Sequence, residues 1–476
     1  MVVERGGFVG RKRQLGLLER ELAEVRGSGM GRFVLLRGRR RVGKSRLVSE
    51  FLVREQTPSV FFAATPGPPD RELARFAEAV ERSTLPASTL VRGGTTFNSW
   101  EGALSTIALA ADRDPCVVVI DELPYLIDGR PEVEAELQHV WDQVLERRPV
   151  LLVAIGSDLA VMNALTTYGR PLYGRPTREI VLEPLTVAEI GELLRLDPAD
   201  AIDAALVVGG FPLVAQSWSR GLDRRGFLEE ALNDSTSALI VSAERALNAE
   251  SPDPSARAVL TAVGAGETTF TAIGSRAGVS QTTLRRTLDA LLRRRVVMAE
   301  RPLSARPATK LTRFRVADPY LRFWLRFVEP GLDEIERGRG DLAVQRVEQG
   351  WLAYRGVAVE PLVRGALDRL LPDARFGDAR QVGAFWTRSG EVEVDLVGMS
   401  AAPPTAHVAF VGSIKWREQA PFDRADLAAL HRGRQQVPGT DSGTLLVAVS
   451  RAGIEARGLD VRLGPADIVA AWQERP

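Results

Sequence analysis

The eight residues from Gly38 to Ser45 have the types and spacing of a loop that binds phosphate groups. They read Gly-Arg-Arg-Arg-Val-Gly-Lys-Ser, follow the apolar stretch Gly31 to Leu36 and precede a helical pattern. Glycines let the backbone wrap a phosphate, so that successive N–H groups and the helix N-terminus point at negative charge. The alternative is a chance glycine-rich turn. The pattern predicts an ATP site, where Lys44 reaches the β- and γ-phosphates and the Ser45 hydroxyl is a ligand of Mg²⁺. The other residues expected to contact the nucleotide are Gly38, Arg41, Val42, Gly43 and Arg46.

Two adjacent acids, Asp121 and Glu122, follow the apolar run Cys116 to Ile120. Because this run does not alternate with polar residues, it indicates a strand of a parallel sheet that is covered on both faces. At the end of such a strand Asp121 is expected to hold Mg²⁺ through water, and Glu122 to polarise the attacking water. The alternative, a solvated turn, does not explain the pairing with the phosphate loop.

A third apolar run, Val150 to Ile155, is followed by Gly156, Ser157 and Asp158. It predicts another buried strand, whose end carries a polar side chain in the middle of the sheet. We expect Ser157 to contact the γ-phosphate there.

Together with Phe8-Val9-Gly10-Arg11, these motifs resemble the AAA+ and STAND superfamily of P-loop ATPases. The resemblance implies that Phe8, Val9 and Arg11 lie near the adenine. Another interpretation is that this segment only caps the first helix.

Three further segments narrow the resemblance. Residues 171–175 (Pro-Leu-Tyr-Gly-Arg) and 182–185 (Leu-Glu-Pro-Leu) are similar to an archaeal-type ATPase family, found also in bacteria, with a winged helix and a C-terminal nuclease-like domain. The resemblance implies that Arg175 contacts the γ-phosphate within or between subunits, although a surface ion pair is the alternative. The segment Gly209 to Pro212 resembles a turn of the helical lid in STAND ATPases, which implies that Pro212 packs on the base. A plain helix start also explains that proline.

The segment from Ser251 to Pro330 is basic, with fourteen Arg and Lys against six Asp and Glu. Its pattern predicts helix, glycine-containing turn and helix, with Ser280 as the N-cap of the helix from Gln281 to Arg295, and then two strands around a basic loop. These elements are typical of a winged helix-turn-helix that binds duplex DNA. The residues expected at DNA are Gln281, Thr282, Thr283, Arg285, Arg286, Arg306, Lys310 and Arg313. A packing module with a solvated basic face is the alternative.

The C-terminal part resembles a restriction-endonuclease-like, PD-(D/E)xK domain, whose acids bind Mg²⁺ and activate water. The resemblance implies Glu360, Asp395 and Lys415 as matching positions, with Asp395 at the end of one predicted strand region and Ser413 where the second acid belongs. Because a hydroxyl is a poorer Mg²⁺ ligand than a carboxylate, Glu393 is the candidate replacement. A degenerate domain that binds DNA or protein is the alternative. The segment from Asp318 to Phe327 places aromatic residues on one helix face, which predicts core packing.

The expected fold is α/β: a P-loop parallel-sheet ATPase core (residues 1–185), a helical lid (186–250), a winged helix-turn-helix (251–328) and a restriction-endonuclease-like domain (329–476). The single cysteine, the lack of a signal-like N-terminus and apolar runs too short for a membrane favour a cytoplasmic protein, and the net charge of +1 does not by itself indicate a nucleic-acid partner. The interpretation is an ATP- and Mg²⁺-dependent switch on duplex DNA. The alternatives are a signalling or assembly ATPase that binds protein or forms homo-oligomers, and an ATP-regulated nuclease.

Overall fold

The computed structural model describes residues 8–91, 96–111, 114–128, 130–250, 253–304, 311–401 and 407–473, with the backbone alone at 249 and 250. The chain divides into two compact units, of which the first ends at Pro184 and the second runs from Leu185 to Gln473. Within the described ranges no helix is long and apolar enough to span a membrane.

The first unit is built on a five-stranded sheet in which every pairing is parallel. Its order is β2-β3-β4-β1-β5, so β4 lies between β1 and β3. The strands are β1 (Arg32–Arg37), β2 (Ser59–Ala63), β3 (Cys116–Asp121), β4 (Val150–Gly156) and β5 (Arg178–Val181). The three buried strands expected from the sequence are β1, β3 and β4.

Helices cover both faces of this sheet. Along β3, Val118 belongs to one apolar cluster and Val117 to the other, and Leu152 and Leu151 of β4 divide in the same way. This two-sided burial is the reason that these strands contain continuous apolar runs. The helices are α1 (Lys12–Ser28), α2 (Lys44–Glu55), α3 (Pro69–Glu81), α4 (Ser88–Val91), α5 (Trp100–Ala111), α6 (Pro124–Ile127), α7 (Pro131–Gln143) and α8 (Leu159–Ala164), with a 3₁₀ turn at Leu145–Arg147.

The second unit begins with helices and a short hairpin. The helices are α9 (Val187–Leu194), α10 (Pro198–Val208), α11 (Pro212–Gln216), α12 (Arg224–Leu232), α13 (Ala238–Glu250), α14 (Pro254–Gly264), α15 (Phe270–Ala277) and α16 (Gln281–Arg293). The Ser280 Oγ accepts from the Thr283 N–H at 3.2 Å, which confirms the predicted N-cap. Antiparallel strands β6 (Val297–Glu300) and β7 (Arg313–Val316) follow, as the sequence predicts.

An aromatic segment comes next: α17 (Pro319–Phe323) and a π-helical turn (Trp324–Val328). The side chains of Tyr320, Phe323, Trp324 and Phe327 are all buried, which confirms their predicted packing. The helices that follow are α18 (Leu332–Glu336), α19 (Gly340–Ala358) and α20 (Glu360–Leu370), with 3₁₀ turns at Glu329–Gly331 and Ala374–Phe376.

A second five-stranded sheet, of mixed direction, ends the chain. Its order is β12-β11-β10-β9-β8, with β9 antiparallel to both neighbours and the other pairings parallel. Its elements are β8 (Gln381–Trp386), β9 (Glu393–Met399), β10 (Val408–Lys415), α21 (Arg424–Gln436), β11 (Leu445–Ser450), β12 (Val461–Leu463) and α22 (Pro465–Ala471). The sequence placed Asp395 near the end of a strand, whereas it is the third residue of β9, because the strand continues through buried apolar residues to Met399.

Candidate functional site

The phosphate loop connects β1 to α2 and contains two glycines, at positions that disfavour other residues for different reasons. A Cβ on Gly38 would lie 2.4 Å from the Leu182 carbonyl oxygen, so only glycine fits at that position. Gly43 has φ of +95° and precedes the first residue of α2, a conformation that glycine adopts at little cost. The Lys44 Nζ donates to the carbonyl oxygens of Gly38 and Arg39, at 2.9 Å each. The ammonium group is thereby held inside the curve of the loop.

Lys44 lies close to two carboxylates while being largely removed from water. Its residue exposure is 5%. Burial is the largest influence and lowers the pKa of the ammonium, whereas Glu122 and Asp121 act to raise that pKa. A buried ammonium whose hydrogen bonds go to backbone carbonyl oxygens is a group with which an anionic ligand can pair.

Asp121 ends β3 and accepts hydrogen bonds from Ser45 of α2 and from the next residue of the chain. Its Oδ2 accepts from the Ser45 hydroxyl at 2.5 Å, and its Oδ1 accepts from the Glu122 N–H at 2.9 Å. Burial raises the pKa of this carboxyl, and the Ser45 hydrogen bond opposes that rise. A hydroxyl and a carboxylate oxygen in contact are the donor types that Mg²⁺ prefers, so Ser45 and Asp121 fit this ion.

Glu122 and Ser157 join the ends of two adjacent strands. The Ser157 hydroxyl donates to Glu122 Oε2 at 2.8 Å. Glu122 has φ of +54°, in the left-handed region that residues other than glycine seldom adopt, and such strain concentrates at functional sites. β1 leads to the phosphate loop, and β3 leads to the two acids. Because β4 lies between these strands, Ser157, which follows β4, is placed between the loop and the acids. The structure therefore brings Lys44, Ser45, Asp121, Glu122 and Ser157 together.

The N-terminal segment that is expected near the adenine contacts the same loop. Arg11 is 5% exposed, and its Nη2 donates to the Val42 carbonyl oxygen at 3.2 Å. Arg11 also precedes α1 but makes no side-chain cap bond to it. Phe8 and Val9 are half-buried, and Phe8 packs against the apolar cluster beneath the loop. The segment therefore lies against the phosphate loop, and its contact with the base stays a prediction.

The other residues predicted around the nucleotide have varied surroundings. Val42 is buried, Arg41 has φ of +66°, and the exposed Arg46 lies 3.8 Å from Glu50. Arg175 forms two bonds with Asp142, at 3.2 and 3.0 Å. This ion pair is the alternative that the sequence left open, and a role at the γ-phosphate stays a prediction. Pro212 is the first residue of α11, in the second unit.

One contact of the loop was not foreseen. The Arg40 Nη2 donates to the Tyr125 hydroxyl of α6 at 3.3 Å, which connects the loop to the segment after the two acids. Arg40 lies inside the motif, but no sequence signal marks Tyr125 as its partner, because the two residues are 85 positions apart.

The predicted DNA residues fall into three groups. Gln281, Thr282, Arg285 and Arg286 are exposed in the first turns of α16, and Thr283 is half-buried. Arg313 of β7 pairs with Glu393 of β9 at 2.5 Å and lies over the Trp386 ring, 4.5 Å from its centroid. Arg306 and Lys310 lie outside the described residues.

Glu360, a candidate acid of the C-terminal domain, belongs to a closed ring of four charged side chains. Its Oε2 lies 3.4 Å from Arg315 Nη2 and 3.3 Å from Arg364 Nη1. Glu300 closes the ring, at 3.1 Å from Arg315 Nε and 3.2 Å from Arg364 Nη2. Burial raises the pKa of Glu360, while Arg315 and Arg364 oppose that rise. Two buried arginines thus neutralise this acid, and we call these residues the four-residue ring.

Asp395 is hydrogen-bonded to the neighbouring strand. Its Oδ2 accepts from the Ser413 hydroxyl at 3.0 Å and from the Ile414 N–H at 2.7 Å. Burial raises the pKa of Asp395. Lys415 lies 4.0 Å from Asp426. Among the residues that the structure describes, no group of three or more His, Cys, Asp or Glu side chains is arranged to hold a metal ion.

Comparisons with known proteins give two family matches. Residues 8–201 match a family described as an ATPase domain predominantly from Archaea. Residues 324–427 match a family described as archaeal and bacterial proteins of unknown function. These residues include the aromatic segment from Trp324 onward, α20, and strands β8 to β10.

A relative and two solved structures show the extent of the similarity. An uncharacterised protein of Methanocaldococcus jannaschii, MJECL04, is 24% identical over 415 residues, which cover 86% of this chain and 88% of that protein. The Walker-type ATPase PABY2304 of Pyrococcus abyssi is 18% identical, with a TM-score of 0.47, over 67% of this chain and 96% of that one. The Aeropyrum pernix ORC2 protein is 16% identical, with a TM-score of 0.47, over 71% and 95%.

The assignment of the first unit follows from the family match together with the site. The match covers the phosphate loop, the acidic pair and Ser157, all of which lie at the carboxyl edge of one parallel sheet. Residues 8–201 therefore carry a P-loop ATPase domain of the archaeal type.

Proposed function

We propose that this protein hydrolyses ATP and uses the nucleotide state to control binding of duplex DNA. The observation that carries the enzymatic part is the hydrogen-bonded series Ser45–Asp121–Glu122–Ser157, which begins beside the enclosed Lys44 ammonium. Backbone N–H groups of the loop and Lys44 would bind the phosphates, so the negative charge of the substrate would compensate the buried cation.

The residues around the phosphates would divide the work of hydrolysis. Ser45 and Asp121 would hold Mg²⁺, which neutralises charge on the β- and γ-phosphates when it is bound. The Glu122 carboxylate would orient the attacking water and accept a hydrogen bond from it. Ser157 would fix the direction of that carboxylate through the 2.8 Å hydrogen bond to Oε2. Arg11 would hold the loop from the side of the nucleotide, through the Val42 carbonyl.

The DNA part of the proposal is supported by the exposure and charge of α16. Its first turns present Gln281, Thr282, Arg285 and Arg286 to solvent. In winged-helix proteins such a helix enters the major groove, and β6 and β7 would correspond to the wing. Each arginine at a phosphate would release condensed counterions, so DNA affinity would fall steeply as salt rises.

One observation favours the alternative in which these modules bind protein. Arg313, expected at DNA, pairs with Glu393 and covers Trp386, and Arg315 belongs to the four-residue ring. Both arginines of β7 therefore pack against the C-terminal part of the second unit. In this alternative α16 would be a solvated face, and DNA would not affect ATP hydrolysis.

The same contacts argue against DNA cleavage by the C-terminal domain. Glu360 is neutralised by two arginines, Glu393 by one, and Ser413 donates to Asp395 where the resemblance expects a second acid. A cleaving site would need these carboxylates for Mg²⁺. We propose that the C-terminal domain holds the β6–β7 hairpin in place and does not cut DNA.

The decisive experiment measures steady-state ATP hydrolysis with and without duplex DNA, at low and moderate salt. Glu122→Gln serves as the blank, because it keeps the shape of the side chain but not its charge. DNA should stimulate hydrolysis in the unaltered protein, and moderate salt should remove the stimulation. Hydrolysis above the blank that ignores DNA would refute the DNA part and leave the enzymatic part standing.

A matched pair of variants locates the DNA contact. Arg285→Gln should weaken DNA binding and lower the slope of log affinity against log salt by about one. Arg220→Gln removes another exposed arginine of the second unit and should leave that slope unchanged. Equal slopes in both variants would place the contact away from α16.

A further inference from the structure

A cavity of about 340 Å³ lies inside the second unit, and none of its lining residues is among those assigned above to ATP. Its walls come from the end of α14, from β7, from the aromatic segment and from α19. They include the apolar Val263 and Val316 and the polar Arg315, Arg322, Arg326 and Tyr354. Solvent reaches the cavity beside α19, because Ala353 and Val357 of that helix line it and are exposed. The volume is in the range of pockets that hold small organic molecules.

Two of the three arginines that line this cavity form no ion pair within the described residues. Its lining contains three arginines and no Asp or Glu. Arg315 is occupied by Glu300 and Glu360 of the four-residue ring. Arg322 donates from Nε and Nη2 to the Val316 carbonyl oxygen, at 3.2 and 2.8 Å, and Arg326 donates from Nη1 to that of Ala265. In the described ranges neither Arg322 nor Arg326 has a carboxylate within ion-pair distance.

The six residues between Ser304 and Leu311, which complete the connection from β6 to β7, contain one arginine, one lysine and no acid. Burial lowers the pKa of the Arg322 guanidinium, but an arginine stays protonated in proteins. A cation in this position is costly unless an anion pairs with it.

We propose that this cavity binds a small organic anion, a carboxylate or phosphate on an apolar body. The anionic group would pair with Arg322 and Arg326 through N–H groups that their carbonyl contacts leave free. The apolar body would pack against Val263 and Val316. This site is independent of ATP binding and of DNA binding.

The test is titration calorimetry of the full-length protein with four probes. Benzoate and phenyl phosphate carry both parts of the proposed chemistry, benzyl alcohol carries only the apolar part, and inorganic phosphate only the charge. The titrations are done with Lys44→Ala and repeated with the unaltered protein, so that binding at the ATP loop is recognised. One of the two aromatic anions should bind with a stoichiometry of one, and at least about tenfold more tightly than benzyl alcohol or inorganic phosphate. Whether benzoate or phenyl phosphate binds more tightly shows whether the ligand of the cavity is a carboxylate or a phosphate.

Two pairs of variants place that binding in the cavity. Arg326→Gln removes an unpaired cation and should weaken the anion about tenfold, whereas Arg337→Gln, another exposed arginine bonded to a backbone carbonyl, should not. Ala353→Phe fills the cavity and should abolish binding, whereas Leu352→Phe on the neighbouring exposed position should not. The proposal is overturned if no probe binds, if benzyl alcohol or inorganic phosphate binds as tightly as both anions, or if Arg326→Gln and Ala353→Phe behave like their controls.

Discussion

Ser157→Ala tests whether the hydroxyl at the end of β4 positions Glu122 for catalysis. The variant removes one hydrogen bond, from the Ser157 Oγ to Glu122 Oε2 at 2.8 Å, in a position where the serine is 9% exposed. A hydrogen bond to a charged group contributes about 1.5–3 kcal/mol. If that energy acts in the transition state, kcat falls about 10- to 160-fold.

The assay compares phosphate release at saturating ATP with the Kd of a fluorescent ATP analogue. Because the partner of Ser157 is Glu122 and not the loop, the Kd should change by less than about threefold while kcat falls. Ser49→Ala is the matched control, since its hydroxyl donates only to the Ser45 carbonyl within α2, and it should leave kcat unchanged.

A double variant separates positioning through Glu122 from an independent role. If Ser157 acts through Glu122, the variant Ser157→Ala/Glu122→Gln should hydrolyse ATP no more slowly than Glu122→Gln alone in prolonged single-turnover assays, which measure the residual rate that the steady-state assay treats as the blank. Additive losses would show that Ser157 contacts the substrate directly. An unchanged kcat in Ser157→Ala would refute the reasoning altogether.

Three further outcomes are expected. Lys44→Ala should remove ATP binding in equilibrium dialysis, because the variant loses the ammonium that the loop encloses through the Gly38 and Arg39 carbonyl oxygens; tight binding would contradict the site. Burial raises the pKa of Asp395 above 3.8, so ionisation of this carboxyl destabilises the folded protein. The free energy of unfolding therefore falls as pH rises from 3.8 through the raised pKa. Asp395→Asn should therefore gain in urea stability relative to the unaltered protein across that window, and parallel curves would contradict this. Gly156→Ala should lower the free energy of unfolding by about 1–3 kcal/mol, because the added Cβ would lie 2.9 Å from a Pro124 ring carbon. Gly16→Ala is the control and should not lower the free energy of unfolding, because a Cβ at Gly16 would meet open space.

The proposed site could be located from the sequence because its parts are set by local chemistry. A glycine-rich loop between a strand and a helix needs only eight consecutive residues, and acids at the end of an apolar run mark the edge of a buried parallel strand. The same local logic predicted Ser280 as a helix cap and the two strands of the hairpin, and all three are present. It was less accurate for Asp395, which was expected at the end of a strand. β9 continues through apolar residues and ends four residues after Asp395.

Contacts between distant residues could be decided only by the tertiary structure. The position of β4 between β1 and β3 sets the 2.8 Å contact of Ser157 with Glu122, across 35 residues of chain. Arg313 and Glu393 are 80 positions apart, and each was predicted for a different ligand before the structure paired them. Charge and periodicity in a sequence show that a side chain is available to interact, but not which partner comes within 4 Å. That choice depends on how the strands and helices pack, which is why the residues of the proposed ATP site could be predicted and the cavity around Arg322 could not.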